Sequence, residues 1–388
     1  MATQAPDDHA AGAPGQAACG TLPGQVVFVL QGGGALGAYQ AGVYEALHEA
    51  QIEPEWVIGT SIGAINGAII AGNPPEQRIE RLKHFWDQVA YHGSATAGWL
   101  PFLDAWLRNV SIMTRGIPAF FAPRPSALLG LHEPDGMWPA ALYSTQPLRE
   151  TLLSLIDFAY LNNQQTRLTV GAVSVGSGRM RYFTNRDAPL DVDHIMASAA
   201  FPPGFPSVRL EGETWWDGGI YSNTPLEAVL DDHPRRDSVI FAVQLWPAHG
   251  PEPKSVWQAM SRQRDIQYSS RAESHLERQK QIHRLRHVIR ELEHYIPAEQ
   301  RDAAEVRELL GWGCGTTMQV IELDAPRLTG DDLHKDIDFS AGGIQRRWKA
   351  GYENTVRMLE KAPWREPPDP MEGIAVYRSD PEADPTAR

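Results

Sequence analysis

The chain has 388 residues, 42% of them hydrophobic and 21% charged, with 35 Lys and Arg against 48 Asp and Glu for a formal net charge of −13. That length accommodates one to three domains with a sizeable buried core, and the acidic balance speaks against a nucleic-acid binder held by a general phosphate-attracting field. Two cysteines, Cys19 and Cys314, exclude a disulfide framework and any zinc site built from several thiolates.

Residues 1–24 are rich in Ala, Gly, Pro and Gln, lack a basic start and an apolar run, and read as a disordered tail and not as a secretory signal. The best candidate for a membrane span, Val26 to Leu47, is broken by glycines. The chain therefore reads as cytoplasmic, soluble or peripheral to a membrane. Gln25 to Gln31 is a short β-branched and aromatic run suited to a buried parallel strand, and Tyr39 to Glu49 has helical spacing. A second strand, Trp56 to Thr60, runs directly into a small-residue helix from Ile62 to about Ala71. Strand, helix, strand, helix in that order predicts an open α/β sheet.

Between residues 93 and 145 the sheet pattern pauses in an apolar insertion where Trp99, Phe102, Trp106, Phe120 and Phe121 crowd among prolines. Core packing accounts for it as well as a lid or acyl-chain wall does. Strand patterns return at Leu168 to Val175, Arg179 to Thr184, Thr214 to Trp216 and Ser238 to Leu245, closing a catalytic domain over residues 25–250. A mainly helical C-terminal extension follows over residues 251–362, with Ile282, Leu285, Val288 or Ile289 and Leu292 at helical spacing, a further strand candidate at Thr317 to Leu323 and a helix from about Gly343 to Glu360. Residues 262–290 of it carry eight Lys and Arg against three Asp and Glu, a local +5 that reads first as a solvated helix face and second as a surface for anionic lipid. Residues 363–388 are Pro- and acid-rich and read as a second tail.

Three local patterns carry chemistry. Gly32-Gly33-Gly34-Ala35-Leu36-Gly37, between a strand and a helix, has the spacing of a dinucleotide fingerprint, but the carboxyl end of the second strand holds Ser61 where a ribose-binding acid belongs. Gly59-Thr60-Ser61-Ile62-Gly63 matches the nucleophile elbow G-x-S-x-G in the right strand-to-helix setting. Trp216-Asp217-Gly218-Gly219 places an acid at the end of a short strand. An acyl-transfer enzyme uses all three: a serine exposed on a sharp turn, a base, and backbone N–H donors from a glycine loop for the oxyanion. Ser61 is then the nucleophile, Asp217 the base, and Gly32, Gly33 and Gly34 the oxyanion donors. His194 and His233 leave a conventional triad formally open.

In this order the patterns resemble the patatin-like phospholipase family, whose members use a Ser–Asp dyad. The segment Met196-Ala-Ser-Ala-Ala-Phe-Pro-Pro-Gly204 is similar to the proline-bearing block that family carries between serine and aspartate, and the late Phe339-Ser340 and Trp348 to Tyr352 stretches look like the extension of a bacterial subgroup. The resemblance implies a three-layer α/β/α sheet, a lipid or other acyl-ester substrate, contact with a membrane or lipid particle, and no cofactor or metal. One departure stands out: the family usually has Arg or Lys in the glycine loop where this chain has Leu36. That makes ester hydrolysis a firmer expectation than phospholipid as substrate. Two alternatives stay open here, a non-catalytic lipid- or granule-binding protein on the same fold and, with less support, an NAD-binding oxidoreductase.

Overall fold

The computed structural model describes residues 22–91, 111–124, 141–163, 165–328, 331 and 333–379. Nearly all of the N-terminal tail, Cys19, and the part of the apolar insertion with Trp99, Phe102 and Trp106 lie outside the described residues. One nine-stranded mixed sheet organises the rest. Its strands are β1 (Gln25–Leu30), β2 (Trp56–Gly59), β3 (Arg167–Ser174), β4 (Met180–Thr184), β5 (Val208–Leu210), β6 (Glu213–Asp217), β7 (Ser238–Gln244), β8 (Met318–Asp324) and β9 (Ile374–Arg378). They lie in the order β9-β8-β7-β1-β2-β3-β6-β5, with β4 also paired to β3. The six strands from β9 to β3 are parallel; β4, β5 and β6 add antiparallel pairs.

A parallel sheet covered on both faces needs strands that are apolar at every position, and β1 meets that need. Val26, Phe28 and Leu30 belong to one core cluster, while Val27 and Val29 belong to the other. The first face is covered by helices α1 (Ala38–Glu49), α2 (Ile62–Ala71) and α3 (Pro75–Gln88). The one glycine of α1 lets a late helix approach: a Cβ on Gly42 would lie 1.9 Å from the Trp348 carbonyl oxygen. Three further helices matter for the site, α4 (Val192–Ser198), α5 (Val256–Leu292) and α6 (Ala341–Lys361). The second face receives Leu276 of α5 together with Val229 and Leu230. This is the three-layer α/β/α arrangement expected, with a helical C-terminal region.

The boundaries differ from expectation in two places. Residues 251–362 do more than append helices, since β8 extends the sheet beyond β7 and α6 lies along α1. The supposed acidic tail contains β9, which pairs with β8 from Met318↔Ile374 to Glu322↔Arg378 and ends the sheet. Among the described residues no helix is long and apolar enough to cross a membrane.

Candidate active site

Strand β1 lies between β7 and β2; the chain leaving β1 runs on to β2 and the chain leaving β7 runs on to β8, so the connections from the carboxyl ends of these two neighbours diverge. Open α/β sheets bind ligands at such a switch point, and here the glycine loop occupies it. Leu30 ends β1, Gln31 is fully buried, and Gly32 to Gly34 follow. Gln31 anchors the loop in three directions: its amide donates to Thr224 Oγ1 (2.7 Å), its Oε1 accepts from the Leu245 and Trp246 N–H groups, and its carbonyl accepts from Gln40 Nε2 (2.6 Å). Gly34 needs its φ of +56° and a close approach, because a Cβ there would stand 2.3 Å from the Asp336 carbonyl oxygen.

Ser61 follows β2 on a sharp turn, with φ 56° and ψ −123°. A non-glycine residue in that region carries strain of about 1–3 kcal/mol, which the surroundings must hold. Gly59 and Gly63 make the turn sterically feasible, since a Cβ on Gly59 would meet Gly63 O at 2.3 Å and one on Gly63 would meet Leu30 O at 2.2 Å. The Ser61 N–H is shared between Ser198 O and Ser198 Oγ, both at 3.2 Å. Ser61 stands at the N-cap position of α2 without capping it, so its hydroxyl is not spent on the helix, and the positive end of the α2 dipole faces it.

Sheet register brings Asp217 to the same place. Gly59 pairs with Val170 on β3, so two residues further along a parallel strand Ser61 is level with Ala172. Ala172 pairs with Asp217 on antiparallel β6. Strand β4 already pairs with Thr169 to Val173, so β2 and β6 share the other edge of β3 end to end. The Asp217 N–H donates to Ala200 O at 3.0 Å. The block from Met196 to Gly204 therefore holds both residues, Ser61 through Ser198 and Asp217 through Ala200.

Asp217 is wholly buried. Burial lifts its carboxyl to about 7, opposed by the nearby Ser61 hydroxyl and by the Gly219 N–H, which donates to Oδ1 at 2.7 Å. Oδ2 is buried without a hydrogen-bond partner among the described residues. The Ser61 hydroxyl thus lies near enough to favour the carboxylate but short of hydrogen-bond contact, as catalytic pairs often do before substrate tightens them. A buried, half-satisfied carboxylate beside a strained serine costs stability and makes sense as a base.

One expected donor is corrected. The Gly32 N–H is already given to Asn223 O (3.1 Å), and its carbonyl accepts from Asn223 Nδ2 (3.0 Å) and Trp246 Nε1 (2.8 Å). Gly32 serves by lacking a side chain: a Cβ there would come within 3.1 Å of Ser61 Cβ. Among the described residues the Gly33, Gly34 and Ile62 N–H groups have no hydrogen-bond partner, so these three, the last directly after Ser61, are the backbone donors left near the serine.

Ser61 and Asp217 open into a cavity of about 340 Å³ with mainly apolar walls. The described part of the insertion supplies Ile112, Met113, Phe120, Phe121, Leu142 and Tyr143, some of which are core residues as well. Neither His194 nor His233 lines it. His194 instead bonds Asp191 in the cap of α4. Sequence reasoning missed Asn223, Trp246, Arg264, Tyr268 and Asp336, all at the cavity. No local motif marks them, and all five lie more than 150 residues from Ser61 and reach it through packing.

The fold and site define an α/β protein with a serine elbow and a buried aspartate at a sheet switch point. The chain belongs to the patatin-like phospholipase family, whose model matches residues 28–230, and a second model described as patatin phospholipase matches residues 266–371. It is 26% identical over 217 residues to a cGAMP-activated phospholipase of Pseudomonas aeruginosa, covering 53% of this chain and 55% of that one. A putative patatin-like phospholipase domain-containing protein of Caenorhabditis elegans is 43% identical over 58 residues, 15% of this chain and 5% of its own. The chain thus spans about half or less of the length of these curated relatives. Among solved structures, VipD of Legionella pneumophila is 14% identical with a TM-score of 0.37, covering 87% of this chain and 67% of that one.

Proposed function

We propose that the protein hydrolyses carboxylic esters of lipids through Ser61 and Asp217. The observation that carries this reading is the sheet register that sets a strained serine and a buried carboxylate with a vacant oxygen side by side at an apolar cavity. Family membership supports a lipid as the acyl-ester substrate. Ser61 Oγ attacks the ester carbonyl while Asp217 takes its proton, and the oxyanion falls to the Gly33, Gly34 and Ile62 N–H groups. Collapse releases the alcohol, which takes the proton back from Asp217, and leaves an acyl-serine. Water, activated by Asp217 in turn, then releases the acid. The aromatic wall from the insertion holds the acyl chain.

Ser61→Ala and Asp217→Asn should each lower p-nitrophenyl butyrate hydrolysis by about 10⁴-fold or more while circular dichroism shows a folded protein. A fluorophosphonate probe should label the wild type and not Ser61→Ala. Activity retained in the serine variant would end the proposal.

A further inference from the structure

We propose that Arg264 determines substrate specificity: with Tyr268 one turn further along α5, it forms the subsite for the alcohol half of the ester and selects alcohols that carry a phosphate. This rests on the ester-hydrolase reading above. Arg264 is the one cationic side chain among the described residues that line the Ser61 cavity. Leu36 of the glycine loop supplies no charge there, being buried against Tyr39 and Leu245 in a separate small cavity.

The two kinds of wall suit the two halves of an ester. Phe120, Phe121, Tyr143 and Phe205 pack ring against ring with centroids 4.8 to 6.3 Å apart, a surface for hydrocarbon that offers nothing to an anion. Around Trp246 the chemistry is polar. Its indole N–H holds Gly32 O, Tyr268 packs on it at 4.8 Å, and the Arg264 guanidinium lies 5.3 Å from its ring centre. The cation is therefore one side chain away from the loop where the scissile carbonyl must sit. A guanidinium fork matches phosphate oxygens in a way that no other group in this cavity does.

Arg264 is held ready by its neighbours. Nη1 donates to Leu333 O at 2.9 Å and to Asp336 Oδ1 at 3.2 Å, and Nη2 donates to Asp336 Oδ2. Asp336 both orients the guanidinium and competes with an anionic ligand for it. Removing the arginine and removing its competitor should therefore act in opposite directions. A purely structural ion pair would respond to both losses in the same direction.

The test compares kcat/KM for 1-oleoyl-lysophosphatidate and 1-oleoylglycerol in the same neutral detergent micelles, two esters that differ only in the phosphate. Arg264→Gln should lower the anionic-to-neutral ratio by about tenfold or more, chiefly through KM for the phosphate ester, whereas Asp336→Asn should raise the ratio. A ratio unmoved in Arg264→Gln, or shifted in the same direction by both variants, overturns the inference. A wild type that cleaves p-nitrophenyl esters but neither lipid also overturns it while leaving the hydrolase reading standing. A wild type inert toward every ester retires the hydrolase reading itself.

Discussion

Asp217 binds its proton more tightly in the folded protein than in the unfolded chain, because burial lifts its carboxyl from an ordinary 3.8 to about 7. Its contribution to stability is therefore fully present below pH 3.8, falls as pH rises, and is gone above about 7, where the fold carries a buried charge. The whole effect is on the order of 4 kcal/mol. Asp217→Asn removes the titration, so its Tm relative to wild type should become more favourable between pH 5 and pH 8.5 in matched melts. A difference that does not change with pH would remove the raised pKa and weaken the case for a base. At this scale much of the site was legible beforehand: Ser61 and the glycines around it form a local strand-turn-helix pattern, and Asp217 ends a local strand. What was hidden depends on hydrogen bonds that no motif encodes. The Gly32 N–H is spent on Asn223, more than 190 positions away, and only the folded chain shows it.

Among the elements, α5 departs furthest from what its sequence suggests. The apolar positions at helical spacing predict one face packed on the rest of the molecule, yet Leu285 is 63% and Leu292 53% exposed. The buried face runs instead through Ser261, Asp265, Ser269, Ala272, Leu276, Gln279, His283 and His287. Periodicity failed because hydrogen bonds, more than apolar contact, fasten this helix: Gln279 to Asp231, His283 to Leu230 O, and His287 to Pro370 O and Thr316 O. The most buried ion pair of this helix joins Asp265 (1% side-chain exposure) and Lys335 (4%) and ties α5 to the segment over the glycine loop. Breaking a buried pair from one side strands a charge, so Lys335→Met should cost about 3–5 kcal/mol in urea melts, and adding Asp265→Leu should recover most of it. Equal stability of the single variant and wild type would show that the pair contributes nothing.

Across the whole molecule, the N-terminal part of the local +5 of residues 262–290 serves internal contacts. Arg262 donates to Pro247 O and Ala248 O, Arg264 pairs with Asp336, and Arg271 donates to Ile220 O and Tyr221 O beside the Asp217 turn. The region read as an appended extension is built into the catalytic unit in the same way. Its β8 covers the edge of β7 along seven residue pairs. Its α6 seats the Trp348 carbonyl against Gly42, and its Asp336, Ile337 and Phe339 line the cavity. The strand at Thr317 to Leu323 was legible in the sequence, but nothing local could show that it joins the sheet at the edge of β7, and β9 is a short strand set in Pro- and acid-rich sequence. A chain ending at residue 250 would leave β7 as a long apolar edge, strip α5 from one face of the sheet and α6 from the other, and open the wall that carries Arg264. An exposed edge of that kind pairs with other chains. The truncated protein should therefore elute as aggregate in size-exclusion chromatography and show no p-nitrophenyl butyrate hydrolysis. A monomeric, active fragment would mean that the first 250 residues form a self-sufficient catalytic domain, and the C-terminal strands would then be a dispensable addition to a sheet already complete at β7.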